Sequence, residues 1–304
     1  MAWPCRRELW GQTLAAARRE TAGVANAIAA FEPVVMVCRP GGAAEVSAAL
    51  AGEVEVWEEP IDDSWLRDSG PIVVERDGER RGVQFGFNAW GGRFPPWDDD
   101  ATIAGRLCER LGLPWERADM ILEGGSIAGD GAGTLLTTEE CLLNPNRNAG
   151  WSRAQVEDEL RARLGAERIV WLPAGLVEDR DTDGHVDLVA AFCEPGAVAL
   201  LAVEDDNPNA ERLAAARDVL AGAGLEVRDV SGLVYTEIAG ERTAISPLNF
   251  YVCNGAVIMS GADESALAAV GAAFPDREVV GVEASVLAYG GGGPHCITQQ
   301  VPYG

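Results

Sequence analysis

The chain has 304 residues, 47% of them hydrophobic, and sets 48 acidic side chains against 24 basic ones for a formal net charge of -24. That apolar content suffices for a sizeable core, and the composition excludes a collagen-like, coiled-coil or wholly disordered chain. Such acidity disfavours nucleic acid, whose phosphates need Lys and Arg, and allows a small cationic substrate, although acidity is also a common route to solubility.

All 24 basic residues are Arg. The absence of Lys excludes a Schiff base, a pyridoxal-phosphate anchor and a phosphate-loop lysine. Two His, and seven Cys without a Cys-x-x-Cys pair, argue against a structural zinc site or a dithiol centre. No apolar run approaches the roughly 20 residues that cross a bilayer. The basic start Met1 to Arg7 lacks an apolar stretch behind it, so the expectation is a cytoplasmic protein with reduced thiols.

In chain order, five helical stretches each lead into a β-rich run. Residues 43–50 lead to a strand at 53–57, 98–111 to 119–122, and 153–164, with Val156, Leu160 and Leu164 on one face, to 168–172. Residues 209–223 lead to 225–230 and 263–273 to 278–282. Strand starts at 53, 119, 168, 225 and 278 differ by 66, 49, 57 and 53 residues, a loose period that predicts one supersecondary unit used five times. Further strands are predicted at 71–74, 82–87, 134–137, 186–192, 198–203 and 256–259. The class is α/β. A doubly wound dinucleotide-binding sheet is the alternative, but no Gly-x-Gly-x-x-Gly opens a helix after a strand. No linker divides the chain, which reads as one domain, 1–304.

The outstanding polar segments follow these strands: Ser64 to Pro71, Leu122 to Ser126, Asp181 to Asp187, and Gly290 to Gln300. If equivalent units surround a pseudo-axis, their carboxylates, a His and a Cys converge on one cavity. Each segment also has a plain structural reading. Asp68 beside Arg67 could be a surface ion pair in a turn. His185 and Asp187, two apart in a predicted strand, share a face and could be structural. Most cysteines are inert core residues. Four consecutive glycines before Pro294, however, are entropically costly to order, which points to close backbone approach to a ligand. Cys296 is the best nucleophile candidate, with His185, or the adjacent His295, as its acid/base partner. Surrounding carboxylates would oppose thiolate formation; a bound guanidinium, gripped by Asp68 and Asp187, removes that conflict.

Trp65-x-Arg67-Asp68-x-Gly70-Pro71, Glu123-Gly124-Gly125-Ser126-Ile127, the run Thr137 to Asn148, Thr182-Asp183-Gly184-His185-Val186-Asp187 and His295-Cys296-Ile297-Thr298-Gln299-Gln300 resemble the motifs of the agmatine deiminases, a family grouped with the bacterial peptidyl-arginine deiminases. The resemblance spans nearly the whole chain. It implies the pentein fold, a five-bladed pseudo-fivefold α/β propeller, with Cys296 as nucleophile, His185 as general acid/base and Asp68 and Asp187 as guanidinium clamps. It further implies that Trp65, Glu123 and Asp181 line the substrate pocket, and Gly292 in the glycine run is expected to join them. The implied reaction converts agmatine to N-carbamoylputrescine and ammonia through a covalent amidino-cysteine, with no cofactor and no metal. The implied partner is a small cationic guanidine, with neither nucleic acid nor membrane, and a homo-oligomer is allowed.

The chain departs from the pattern in places. The start at Met1 resembles an internal family segment, so the usual first strand is expected to be missing. Ala128 stands where the family usually has His, Leu188 where Asn is common, and Pro294 in place of the usual Ile. These changes bear on the far end of the pocket. Deimination of a peptidyl or C-terminal arginine is therefore the second reading, and a non-catalytic binding protein of the same fold is the alternative from a different class.

Overall fold

The computed structural model describes residues 1–261 and 263–302; Ala262 and the last two residues of the predicted 1–304 domain lie outside the described residues. The chain divides into two compact units, one of Met1–Leu66, Ala199–Ala210 and Arg228–Thr298, the other of Arg67–Val198, Glu211–Val227 and the segment from Gln299 onward.

In the second unit, strands Ile72–Arg76 and Glu79–Gly86 form an antiparallel hairpin, helix Asp100–Leu111 follows, and strand Trp115–Ile121 returns parallel to the second hairpin strand. The plan repeats with Ile127–Gly129, Thr134–Thr138, helix Arg153–Leu164 and Arg168–Leu172, where Thr134 pairs with Arg168 and Thr138 with Leu172. Helix Arg153–Leu164 starts at a reciprocal Ser152–Gln155 capping box and stops at Gly165, whose φ of 69° suits a residue without a Cβ. Val156 and Leu160, one turn apart, are fully buried against Met120, Leu122, Leu142 and Trp171. Each such side chain contributes about 1.5–3 kcal/mol by burial.

The first unit carries the same plan in Tyr251–Cys253, Ala256–Ser260, helix Glu264–Ala273 and Glu278–Val282, again a hairpin followed by a parallel return. Strands Val34–Cys38 and Val54–Glu58 pair in parallel around helix Ala43–Ala49. Ala2 forms a parallel bridge to Val37. A further sheet orders Glu226–Val230, Ala197–Leu201 and Ala190–Glu194, with helix Ala210–Gly222 between its last two strands in sequence; the division between the units falls inside two of these strands. The five expected helix-to-strand pairs are therefore all present.

The predicted strand over 186–192 is not continuous. Val186–Leu188 is a 3-10 turn, and the strand begins only at Ala190. Its cause lies upstream: the backbone N–H of His185 donates to Asp179 Oδ2 at 2.8 Å and to Thr182 Oγ1 at 3.2 Å, so local side chains take a donor that a ladder would otherwise use.

Candidate active site

Within the second unit, Asp68, Glu123, His185 and Asp187 gather around the Glu-Gly-Gly segment. A Cβ on Gly125 would lie 2.6 Å from His185 Nδ1, 2.9 Å from Asp68 Oδ1 and 3.0 Å from Asp187 Oδ2. Only glycine leaves space for these three polar groups to close on one backbone position. A Cβ on Gly124 would strike the Arg67 carbonyl at 2.2 Å, which accounts for the second glycine. His185 and Asp187 thus meet through the 3-10 turn, where the sequence predicted strand alternation.

Asp68 is buried and held from two sides. Its Oδ1 accepts the Gly125 N–H at 2.8 Å and its Oδ2 accepts the Trp90 indole N–H at 2.9 Å. Burial pushes its carboxyl up to about 6, and the nearby Asp187 and Glu123 add to this, against the opposing pull of His185 and the Gly125 N–H. Trp90 sits in the left-handed region, φ 54° and ψ 50°, beside Ala89 at φ 51°. That costs of order 1–3 kcal/mol per residue and is retained where the surroundings fix it. Here edge-on contacts to Phe87 and Phe94, with centroids 5.2 and 5.6 Å away, hold the indole. The sequence reading missed Trp90; its signal is the aromatic and glycine cluster Phe87 to Phe94.

Glu123 is wholly buried behind the imidazole. Its Oε1 accepts from Arg147 Nε at 2.7 Å, and its Oε2 stands 3.8 Å from His185 Nε2. Burial alone would raise its carboxyl, but His185 and Arg147 outweigh it and hold it low. Arg147 also donates to Asp183 Oδ2 at 2.6 Å and to the Thr182 carbonyl at 2.9 Å, tying the Asn-Arg-Asn segment to the loop that carries His185. Burial alone would depress His185; Asp68, with Cys141 and Glu123, instead raises its pKa well above 6.5. Asp181 is exposed, and its carbonyl accepts from Arg93 at 2.5 Å.

Among the described residues, Glu123, Cys141 and His185 bring donor atoms within 4.8 Å of one another, a set that could hold a metal ion. Cys141 is fully buried and burial pushes its thiol up, while Glu123 is already ion-paired with Arg147.

In the first unit, Cys296 lies at the end of the glycine run, 5% exposed. A Cβ on Gly292 would lie 2.7 Å from its Sγ and 2.7 Å from the Trp65 ring, so the run lets sulfur and indole approach the backbone. Trp65 is stacked on Trp10, centroids 5.7 Å apart. Cys296, Trp65 and Gly292 are thus neighbours, as are Asp68, Glu123, His185 and Asp187 in the other unit.

These features describe an α/β protein with buried acid, base and thiol groups on turns that only glycine permits. The chain belongs to the Porphyromonas-type peptidyl-arginine deiminase family, whose profile matches residues 1–302. It is similar to a Streptomyces coelicolor protein provisionally named agmatine deiminase, 40% identical with 99% of this chain and 95% of that protein covered. Among solved structures it resembles the agmatine deiminase of Enterococcus faecalis, captured catalysing its reaction, at 35% identity and TM-score 0.94, with 99% and 92% of the two chains covered. It also resembles C. jejuni agmatine deiminase with substrate bound, at 25% identity and TM-score 0.90, covering 98% and 91%. A dimethylarginine dimethylaminohydrolase at 14% identity and TM-score 0.53 shares the fold alone. No helix among the described residues is long and apolar enough to cross a membrane.

Proposed function

We propose that this chain is a cytoplasmic agmatine deiminase, a hydrolase that cleaves a guanidino C–N bond. The observation that carries the reading is the Gly125-centred cluster: two buried carboxylates and a buried imidazole packed within reach of one backbone position. That equipment suits a planar cation, and the net charge of -24 favours such a substrate over a polyanion. The repeated helix-to-strand plan supports one domain with the five-bladed propeller architecture of the pentein fold.

In the proposed chemistry, Asp68 and Asp187 grip the guanidinium through charge-assisted hydrogen bonds. The Cys296 thiolate attacks the guanidinium carbon, forming a C–S bond. His185 gives its proton to the departing nitrogen, the C–N bond breaks, and ammonia leaves an amidino-cysteine. His185, now neutral, takes a proton from water as the water oxygen adds to the same carbon. The C–S bond then breaks, giving N-carbamoylputrescine and the free thiol. Glu123 supports His185 from behind, its Oε2 3.8 Å from the imidazole Nε2. Trp65 and Gly292 shape the space beside the sulfur, and Asp181 belongs to the outer part of the substrate path.

Incubation with agmatine, free arginine and an arginine-terminated peptide, with ammonia and the ureido product assayed, tests the reading. Turnover of agmatine is expected. Ammonia released from the peptide alone would transfer the assignment to peptidyl-arginine deimination, the activity named by the family. Cys296→Ser should abolish turnover yet retain substrate binding, and a chain that turned over nothing would fall to the binding-protein reading.

A further inference from the structure

Four of the five parallel return strands are followed by a segment that supplies a residue to the reading above: Asp68 after Val54–Glu58, Glu123 after Trp115–Ile121, His185 and Asp187 after Arg168–Leu172, and Cys296 after Glu278–Val282. The remaining strand, Glu226–Val230, is followed by a hairpin, Val234–Ile238 with Glu241–Ile245, and then by the buried segment 246–251. Asn249 lies in that segment, 4% exposed.

Its side chain is directed at Cys296. Nδ2 donates to Cys296 Sγ at 3.1 Å, Oδ1 accepts the Cys296 N–H at 3.4 Å, and the Asn249 carbonyl accepts the His295 N–H at 3.2 Å. These partners fix which way the amide points: reversed, Nδ2 would meet the backbone N–H donor of Cys296 and the sulfur would face an oxygen. Gly293 is part of the same fit, because a Cβ there would lie 2.8 Å from Asn249 Oδ1. The Trp65 ring lies against Gly292 as the sulfur does, and His295 is the titratable side chain next to Cys296 in sequence. An N–H aimed at sulfur is worth more when the sulfur is anionic, since hydrogen bonds to a charged acceptor are about twice as strong as neutral ones.

We propose that Asn249 is the positioning residue of Cys296: its side-chain amide aims the sulfur and stabilises it as thiolate, with Gly293 leaving room for the amide. The proposal rests on Cys296 being the nucleophile and adds a residue that the motifs do not contain. It explains how a thiol becomes anionic in so acidic a chain before the cationic substrate contributes.

The test is the pH dependence of Cys296 alkylation by iodoacetamide, followed by peptide mass mapping so that the other six cysteines are scored separately. In Asn249→Ala the midpoint should rise by about one pH unit, the size of one lost hydrogen bond to a charged group. In Asn249→Asp, where a carboxylate replaces the donor, it should rise further. Gly293→Ala keeps both residues but drives the amide off the sulfur, and should raise the midpoint as well; it carries the test if the Asn249 variants do not fold. A purely structural Asn249 would lower activity and leave the midpoint in place, and unchanged midpoints in the folded variants overturn the proposal. Alkylation needs no turnover, so a failure of the agmatine reading shows in the Cys296→Ser and substrate assays and a failure of this one in the alkylation profile.

Discussion

The indole N–H of Trp90 donates to Asp68 Oδ2 at 2.9 Å while the other oxygen of the same carboxylate takes the Gly125 N–H. Both donors favour the ionised form of a carboxyl that burial has pushed up to about 6. Trp90→Phe keeps the ring and its edge contacts but removes one donor, so Asp68 should become harder to ionise. We expect kcat/KM for agmatine to fall about tenfold, the value of one charge-assisted hydrogen bond, and the acid limb of the pH profile to move to higher pH. An acid limb that stays in place would show that the indole does not support this carboxylate.

Much of this arrangement was legible in the sequence for physical reasons. The period of apolar positions in Arg153–Leu164 reflects a face that packs on the core, and its capping residues are local, so its bounds coincide with prediction. The motifs carrying Asp68, His185 and Cys296 stand out because polar runs after strands are costly without a use. Trp90 and Asn249 were not legible: the side chain of each meets a residue 22 or 47 positions away, and such pairings leave no local period. Val186–Leu188 misled because apolar alternation reads as strand, whereas Asp179 and Thr182 capture the His185 amide and turn the chain.

Gly125→Ala should be severe. The added methyl would meet His185 Nδ1, Asp68 Oδ1 and Asp187 Oδ2 within 3.0 Å, and three buried side chains cannot all retreat without losing their mutual geometry. Overpacking of this kind costs about 1–3 kcal/mol in stability, and misplacement of reacting groups by an ångström costs on the order of a hundredfold in rate. A thermal melt with steady-state kinetics checks both; activity within twofold of the parent would contradict the packing described.

Arg147→Met should destabilise the fold by about 3–5 kcal/mol, because it removes the ion-pair partner of the fully buried Glu123 Oε1 and the ties to Asp183 and the Thr182 carbonyl. Urea midpoints measure the loss. Adding Glu123→Gln to that variant removes the carboxylate whose Oε1 has lost its partner and should recover part of the stability, so a double variant worse than the sum of the two singles would refute the pairing as the cause.

The pH dependence of stability follows from His185, whose folded-state pKa lies well above the ordinary 6.5 although burial opposes it, with Asp68 the main cause of the rise. A raised folded-state pKa means that the folded protein binds the proton more tightly than the unfolded chain. The stabilisation is therefore complete below about pH 6.5 and is lost as pH climbs through the folded-state value. His185→Gln cannot take part in this equilibrium. The Tm advantage of the parent over that variant should be largest near pH 6 and shrink as pH climbs through the raised folded-state value. Asp68 shifts stability in the same direction: its carboxyl, raised from 3.8 to about 6, favours the folded state while protonated, and that contribution is lost as pH climbs through about 6, so Asp68→Asn should compare more favourably with the parent at pH 8 than at pH 5. Melts of the three proteins across that range decide the matter, and a parent advantage over His185→Gln that grows with pH would mean that the imidazole is buried neutral.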